Sequence, residues 1–475
     1  MNALHDLDAT AQSAALQARE VSSLELVRHH LDRIAAHSLT LGAFITVTAD
    51  RALEGARAAD AALATGDAPA FTGVPIAIKD ITFTRGVATS MGSAAMRDFV
   101  PPVNAFVVDL IEKAGFISLG KTNTPEFGLS SYTDNDIVGP ARTPWDTSRN
   151  AGGSSGGAAA AVSAGLVPLA QGSDGGGSIR IPASACGIFG FKPSRGRVSA
   201  GPVGSDWSGL GGDGPLTRTV RDAAALLDVM AHHMPGDVRP LPDPPLPYAT
   251  WIRDDPGRLR IARWSATHLD GIAPGPDVLV AWEEASQLLA SLGHEIVDIA
   301  NPFPQALEPQ FNVIWSSGIA GAPISPEAEA ALRPNTRYWR ERGRAASAIE
   351  LSRAMQFLEG TTRQIISDLR AYDAFLTPTL ALPPQPVEWF NESGDPVEDH
   401  HRELLFTPYT ALYNMSGQPA ASLPLHWTEA SDQSASLPIG VMLAAHPGQD
   451  GPLFSLCAQV EAAAPWTDHR PPNFE

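Results

Sequence analysis

From about residue 71 to 202 the chain consists of short apolar runs broken by Gly, Ser and Pro, and this texture constrains the fold more than any other feature. One run, Val74-Pro75-Ile76-Ala77-Ile78, ends directly at Lys79 and Asp80. Short apolar runs bounded by turn residues are typical of buried strands. The segment is therefore predicted to form strands that end in tight, glycine-rich loops.

Helical patterns lie on both sides of this segment. Ser22 and Glu25 have the spacing of a capping box, and an apolar stripe follows along the same helix at Leu24, Val27, Leu31 and Ile34. Residues 304–360 are interpreted as a largely helical insert. The other predicted elements are helices at 219–232 and 277–292 and strands at 259–264, 375–378, 419–425 and 437–443. The Pro- and Asp-rich stretch 234–257 is either a domain boundary or a surface crossing within one domain.

Composition bounds the class of protein. With 475 residues, 44% of them hydrophobic, the chain can bury a large core in one α/β body or in two or three domains. The net charge of −19 argues against a nucleic-acid partner, because the protein would repel phosphate groups, and it favours a small neutral or apolar ligand. The N-terminus lacks a signal-peptide pattern, and no apolar run reaches the roughly 18 residues of a membrane span. We therefore expect a cytoplasmic protein without membrane contact.

Metal and cofactor sites have little support in the sequence. The two cysteines, Cys186 and Cys457, lie far apart, so neither a disulfide framework nor a Cys-rich zinc site is expected. Among the thirteen histidines, adjacent pairs such as His232-His233 have a poor spacing for shared metal ligation on a helix. We expect no metal ion and no cofactor, and a homodimer stays open.

Lysine is scarce in this chain, and its positions are therefore informative. Among the 33 basic residues only four are lysines: Lys79, Lys113, Lys121 and Lys192. A desolvated lysine can become a neutral amine and act as a base, whereas an arginine in a protein stays charged. Lys79 ends an apolar run, which places its stem in a dry interior. Either it is such a base, or it pairs with Asp80 or another acid at a strand end.

Two glycine-rich motifs follow. The first, Gly152-Gly153-Ser154-Ser155-Gly156-Gly157, places two hydroxyl groups at a turn that leads into a small-residue helix starting near Ala158. In the second, Gly172-Ser173-Asp174-Gly175-Gly176-Gly177-Ser178, a serine follows three glycines. Successive glycines leave their N–H groups unobstructed, and such a nest binds phosphate or a developing oxyanion. A P-loop pattern is missing from the sequence, which favours the oxyanion and a nucleophilic serine.

Together with neighbouring pieces, these motifs resemble the amidase signature family. The ordered pieces are Gly73-Val74-Pro75 leading to Lys79-Asp80, Gly120-Lys121-Thr122-Asn123, Gly152 to Gly157, Asp174 to Pro182, Gly190-Phe191-Lys192-Pro193 and Gly196-Arg197-Val198-Ser199. The match spans most of the chain and is densest from Gly73 to Pro202. The resemblance implies a single large α/β domain, residues 1–475, with a central mixed β-sheet covered by helices on both faces. Residues 71–202 would be its catalytic core, and 304–360 would shape the substrate pocket.

The resemblance also implies a Ser-cis-Ser-Lys triad. Ser178 would be the nucleophile that forms an acyl-enzyme, Ser154 the bridging serine after a cis peptide, and Lys79 the base. The N–H groups that would line the oxyanion hole are those of Gly175, Gly176, Gly177 and Ser178. The residues that would support this geometry are Ser155, Asp174 and Arg180. Many relatives carry a bulkier residue in place of Gly175.

Two other functions are weighed against this one. Gly152 to Gly156 also satisfies the nucleophile-elbow pattern, in which Ser154 would be the nucleophile of an α/β-hydrolase esterase. The family also includes the glutaminase-type amidotransferase subunit, which needs a partner. The segments Asn123 to Gly128 and Gly417 to Pro424 instead look like the stand-alone branch, similar to enzymes that act on nylon-type cyclic amides, aryl amides and urethanes.

The expected substrate is a small uncharged amide, with esters and carbamates as further candidates. A neutral lysine base requires a dry site, where a charged substrate would lose its hydration. The insert 304–360 supplies aromatic side chains that either form the pocket or belong to the core: Phe311, Trp315, Tyr338, Trp339 and Phe357.

Overall fold

The computed structural model describes residues 3–204, 207–430 and 435–474. Its strands are β1 (Phe44–Val47), β2 (Pro75–Lys79), β3 (Ile117–Thr122), β4 (Leu169–Ser173), β5 (Phe189–Lys192), β6 (Asp213–Thr217), β7 (Arg260–Arg263), β8 (Glu295–Asp298), β9 (Ala374–Pro378), β10 (Ala420–Trp427) and β11 (Pro438–Ala445). Its helices are α1 (Ala9–Gln17), α2 (Ser23–Leu41), α3 (Ala49–Thr65), α4 (Phe106–Lys113), α5 (Gly156–Ser163), α6 (Arg180–Cys186), α7 (Val220–Met230), α8 (Tyr248–Trp251), α9 (Pro276–Ser291), α10 (Leu307–Ala320), α11 (Pro326–Ala330), α12 (Pro334–Ala345), α13 (Ala348–Asp368), α14 (Pro396–Phe406), α15 (Ala411–Ser416) and α16 (Asp450–Ala463).

Within these ranges, eleven strands form one mixed sheet in the order β1-β3-β2-β4-β6-β5-β10-β11-β9-β7-β8. Strand β2 is parallel to both β3 and β4, and β7 is parallel to both β8 and β9. The strands between these two groups pair antiparallel. Because β6 and β7 belong to the same sheet, the stretch 234–257 between them is a surface crossing within one domain. The predicted single α/β domain with a central mixed sheet is therefore confirmed.

Alternating side chains of the strands face helices on opposite sides of the sheet. Ile76 and Ile78 pack in an apolar cluster with residues of α7, α9 and α16, whereas Ala77 packs in another with residues of α2 and α5. On β11, Val441 belongs to the first cluster, while Met442 packs with residues of α10, α13 and α15. Side chains on a strand alternate between faces, so both faces of the sheet are covered by helices, as expected.

Most of the predicted elements are present. The capping box of Ser22 and Glu25 opens α2, where Ser22 Oγ accepts from the Glu25 N–H and the Glu25 carboxylate accepts from the Ser22 N–H. Helices α7 and α9 and strands β7, β9, β10 and β11 lie at the positions predicted for them. The stretch 304–360 is helical, with α10, α11, α12 and most of α13 inside it. In the described part of the chain, no helix has the length and apolarity needed to cross a membrane.

Candidate active site

The site lies where two parallel strands end. Strand β2 ends at Lys79 and its parallel neighbour β4 ends at Ser173, so their carboxyl ends meet at one edge of the sheet. Loops that follow such strand ends form the usual binding crevice of α/β sheets. The glycine nest follows β4 directly, and the turn of Ser154 precedes α5, which packs against both strands. The pairing of β2 with β4 and the packing of α5 on both strands therefore bring the three motifs together.

Lys79 is fully buried and contacts Ser154. Its Nζ donates to Ser154 Oγ over 2.7 Å and to Ser173 Oγ over 3.0 Å. Asp80 is not its partner, because the Asp80 carboxylate accepts from Ser90 Oγ and the Gly92 N–H. Among the described residues no ion pair joins Lys79 to Asp80 or to another acid, although the charges of Asp213 and Asp174 act on its amine.

The charge state of Lys79 follows from its burial. Desolvation lowers the pKa of Lys79 to about 7, although the charges of Asp213 and Asp174 act to raise it. Near neutral pH a large fraction of this amine is therefore uncharged and able to accept a proton. Lys121 and Lys192 are also buried with pKa values lowered to about 7 by desolvation, but their Nζ atoms donate to Thr84 Oγ1 and to the Pro193 carbonyl. Only the contact with Ser154 distinguishes Lys79 among these three.

The turn of Ser154 has the geometry that the resemblance implies. The peptide bond between Gly153 and Ser154 is cis. The Ser155 N–H donates to the Ser178 carbonyl over 3.1 Å, and Ser155 Oγ donates to the Ser173 carbonyl over 3.2 Å. Ser155 thus joins the turn to the glycine nest. The nucleophile-elbow alternative requires a strand directly before the serine, and in the described chain residues 151–155 follow only two isolated bridges, at Arg149 and Asn150.

The glycine nest is closed over by side chains from distant helices. Gly177 has a φ of 133°, and a Cβ there would lie 2.1 Å from Thr410 Oγ1, so this position requires glycine. A Cβ on Gly175 would lie 2.9 Å from the ring of Trp315 on α10. The N–H groups of residues 175–178 have no hydrogen-bond partner among the described residues, and Ser178 is 7% exposed. Because Gly175 has no side chain, the Trp315 ring can occupy the space beside it.

A buried ion pair holds the start of the nest. Arg180 Nη2 lies 2.8 Å from Asp174 Oδ1, and both side chains are fully buried. Asn414 Nδ2 donates to the same carboxylate, and Arg180 Nη2 donates to Asn414 Oδ1 over 2.7 Å. Burial alone would raise the pKa of Asp174, but the Arg180 charge and hydrogen bonds outweigh it and lower the pKa to about 2. The pair is therefore ionised throughout the physiological range.

Two cavities meet at Ser178. The relay cavity, of about 520 Å³, is lined by Ser154, Ser173, Gly175, Ser178 and Asp213 among others. The aromatic cavity, of about 100 Å³, includes Ser178 and Gly176 beside Phe311, Trp315 and Trp339. Of the five aromatic residues proposed for the pocket, Tyr338 and Phe357 line neither cavity, and Phe357 is 40% exposed. Trp315 lines both cavities.

Several residues of the site were missed in the sequence. Ser173 lies inside the glycine motif, and this position is the signal that could have identified its hydroxyl as a partner of Lys79. Asp213, whose pKa burial raises to about 6, receives a hydrogen bond from Gln171, and no local signal marks it. Thr410 and Asn414 come from the C-terminal part of the chain and likewise carry no motif. Among the described residues, no group of three or more His, Cys, Asp or Glu side chains is arranged to hold a metal ion.

The mixed sheet, the buried lysine and the two serines beside a glycine nest together define a class of enzyme. Comparison of this chain with known proteins identifies that class. The sequence model of the Amidase family matches residues 25–454, so the chain belongs to this family. The relatives include hydrolases that act on amides, and the protein is accordingly an amidase, a hydrolase of amide C–N bonds.

Three relatives illustrate the range of the family. A putative amidase of Synechocystis sp. is 36% identical over 96% of this chain and 88% of its own. The 6-aminohexanoate-cyclic-dimer hydrolase of Pseudomonas sp. is 34% identical over 98% of this chain and 96% of its own. A glutamyl-tRNA(Gln) amidotransferase subunit of Chromohalobacter salexigens is 35% identical over 98% of this chain and 99% of its own.

Solved structures agree with the fold. A 6-aminohexanoate cyclic dimer hydrolase complexed with substrate superimposes with a TM-score of 0.90 at 30% identity, covering 99% of this chain and 100% of the other. A bacterial aryl acylamidase superimposes with a TM-score of 0.86 at 26% identity, covering 98% and 97%. The predicted family, fold and amidase activity are thus confirmed, whereas the cytoplasmic location stays a prediction and the homodimer stays open.

Proposed function

We propose that this protein is a stand-alone serine amidohydrolase that cleaves uncharged, apolar or aromatic amides through an acyl-enzyme on Ser178. The observation that carries the proposal is the 2.7 Å hydrogen bond between the buried Lys79 amine and Ser154 Oγ, beside a glycine nest that ends at Ser178. A lysine whose pKa is lowered by burial is a competent base, and a preceding run of free N–H groups is a competent oxyanion hole.

The reaction begins with two proton transfers. The uncharged Lys79 amine accepts the proton of Ser154 while Ser154 Oγ accepts that of Ser178, and Ser178 Oγ bonds to the carbonyl carbon. The N–H groups from Gly175 to Ser178 donate to the oxygen that becomes negative. The C–N bond breaks as the proton returns from Lys79 through Ser154 to the leaving nitrogen. Water then attacks the acyl-enzyme with the same two groups as base, and Ser178 is regenerated.

The two cavities take different halves of the substrate. Ser154 lines the relay cavity and not the aromatic cavity. The leaving nitrogen must reach Ser154 to receive its proton, so the amine half occupies the relay cavity. The acyl half then extends from Ser178 into the aromatic cavity, along the walls formed by Phe311, Trp315 and Trp339. Esters and carbamates form the same oxyanion, and we expect them to react as well.

We expect a fluorophosphonate to label Ser178 alone, because its Oγ attacks phosphorus and expels fluoride. Intact mass and peptide mapping give the stoichiometry and the site. In the Ser178→Ala variant labelling should stop, and in Ser154→Ala it should slow, since Ser154 carries the proton away. Label found on Ser154 in the wild-type protein would instead identify a nucleophile elbow and overturn the assignment.

The relative from Chromohalobacter favours a second candidate, a glutaminase-type amidotransferase subunit. To separate the two, kcat/KM is measured for an acyl anilide, an aryl carbamate and glutamine with the purified chain alone. We expect the anilide and the carbamate to be cleaved faster than glutamine by at least about 100-fold, since the charged groups of glutamine lose their hydration in a dry site. Faster turnover of glutamine would support the amidotransferase function.

A further inference from the structure

We propose that the aromatic cavity binds acyl groups with an apolar stem and a terminal amine, and that Glu308 accepts a hydrogen bond from this amine. The assignment rests on the proposed function, which puts the acyl half of the substrate in this cavity, and it restricts the requirement for an uncharged substrate to the groups near the scissile bond. It adds the chemistry of the far end of the acyl group, which neither the triad nor the glycine nest determines.

Helix α10 runs along the cavity away from the reaction centre. Trp315 contacts Gly175, and Phe311, one turn earlier, contacts Gly176. Phe311 and Trp315 stack with their ring centroids 5.4 Å apart and form a continuous apolar wall. Glu308 comes almost one turn before Phe311, so it lies about 10 Å along the helix axis from Trp315 at a rise of ~1.5 Å per residue. Because Glu308 also lines the cavity, the wall ends at a carboxylate.

Polar side chains gather at that end of the cavity. They line it together with the aromatic residues and are His268, Glu308, Asn312, His400 and Glu403. Asn312 Nδ2 donates to Glu308 Oε1, and His400 Nε2 lies 3.4 Å from the same oxygen. Glu308 Oε2 has no hydrogen-bond partner in the described part of the chain, and the side chain is 24% exposed. One carboxylate oxygen is therefore held in place while the other is open to a ligand.

The charges at this end favour a donor and a cation. The hydrogen bond from His400 lowers the pKa of Glu308, so its carboxylate is ionised at neutral pH. Burial raises the pKa of Glu403, whose carboxylate accepts from the Ser131 N–H and Oγ, and burial lowers the pKa of His268 to about 4, which leaves that ring neutral. The charge of Arg342 also lowers the pKa of Glu308 and is a smaller cause than the contacts with His400 and Asn312. An ammonium group placed here is compensated by Glu308, whereas a carboxylate would meet an anion.

The size of the cavity agrees with a slender acyl chain. Its volume of about 100 Å³ is much smaller than the 520 Å³ of the relay cavity, and its walls beside Ser178 are aromatic. A charged group close to the scissile bond would lie next to the dry surroundings of Lys79 and is disfavoured. An amine at the far end of the stem avoids that cost because it reaches Glu308.

The test compares two matched series of p-nitroanilides, one with plain acyl chains from butanoyl to octanoyl and one with the same chains carrying a terminal amine. At the best chain length, Glu308→Gln should lower kcat/KM for the amine-ended substrate by about 10-fold or more, since a hydrogen bond to a charged group is lost. The plain substrate of equal length should change by less than about 2-fold. Glu327→Gln, an exposed position on α11, is the matched control and should change neither series.

A measurement on the wild-type protein complements the variant. Linear alkylamines should inhibit hydrolysis of a plain anilide competitively and about 10-fold more strongly than carboxylates of equal length. Equal inhibition by both, or equal losses for both substrate series in Glu308→Gln, would overturn the Glu308 assignment alone. If the wild-type protein cleaves no anilide of either series, the proposed function fails and this assignment fails with it.

Discussion

The Lys79→Arg variant is expected to lose as much kcat/KM as Lys79→Ala, at least about 100-fold relative to wild type. Arginine keeps the positive charge and much of the hydrogen bonding, but it does not release its proton in a protein. A structural ion pair would tolerate this change far better than a proton relay does. Steady-state hydrolysis of an anilide measures the loss.

Lys113→Arg provides the control, because Lys113 is exposed at the end of α4 and should tolerate the change without loss. The pH profile separates the proton relay from a packing defect. In the wild-type protein kcat/KM should fall as the pH drops through about 7, because the Lys79 amine becomes protonated there. Neither Lys79 variant should retain that titration. A Lys79→Arg enzyme with most of its activity would show that Lys79 is structural.

The Arg180→Met variant should lower the free energy of unfolding by about 3 to 5 kcal/mol, because it leaves the Asp174 carboxylate buried without its partner. In the wild-type protein Arg180 helps to lower the pKa of Asp174 to about 2, but in the variant burial acts to raise this pKa. The loss of stability should therefore be largest at neutral and higher pH and should shrink as the pH falls and Asp174 takes up a proton. Urea unfolding followed by circular dichroism measures the change in stability.

The Arg51→Met variant is the control for this loss. It breaks the ion pair of Arg51 with Glu112, whose side chains are 49% and 35% exposed, and should cost no more than about 1 kcal/mol. If the two variants are equally stable, the buried ion pair does not hold the nest. Loss of activity in Arg180→Met without loss of stability would instead show that the ion pair sets the loop geometry and not the stability of the fold.

The candidate site lies in local motifs, because strand ends, glycine turns and serines are encoded by neighbouring residues. The resemblance of these motifs to the amidase signature assigns roles to Lys79, Ser154 and Ser178, and these roles stay predictions. Scarcity of lysine was a weaker guide, since Lys121 and Lys192 are equally buried with similar pKa shifts. Only the three-dimensional contact with Ser154 separates Lys79 from them.

Residues from distant parts of the chain could not be predicted. Asn414 bonds Asp174 across 240 positions, and Thr410 Oγ1 donates to the Gly176 carbonyl across 234. Neither residue belongs to a motif. Each reaches the nest only because α15 packs against it, and the local sequence does not show that packing. The pocket aromatics show the same limit. Phe311 and Trp315 share one face of α10 and line the cavity, whereas Phe357 on α13 lies at the surface.

The contact between Gly175 and Trp315 makes two distant positions depend on one another. A side chain at 175 would occupy the space of the indole ring, and an indole at 315 excludes any side chain at 175. In this chain a bulky residue at 175 therefore requires a smaller side chain at 315. When both positions are changed, Trp315 has to be made smaller before Gly175 is made larger, because the reverse order passes through a clash. The boundary between the two cavities thus depends on Gly175 and Trp315 together. Laboratory evolution of this enzyme should vary both positions at once.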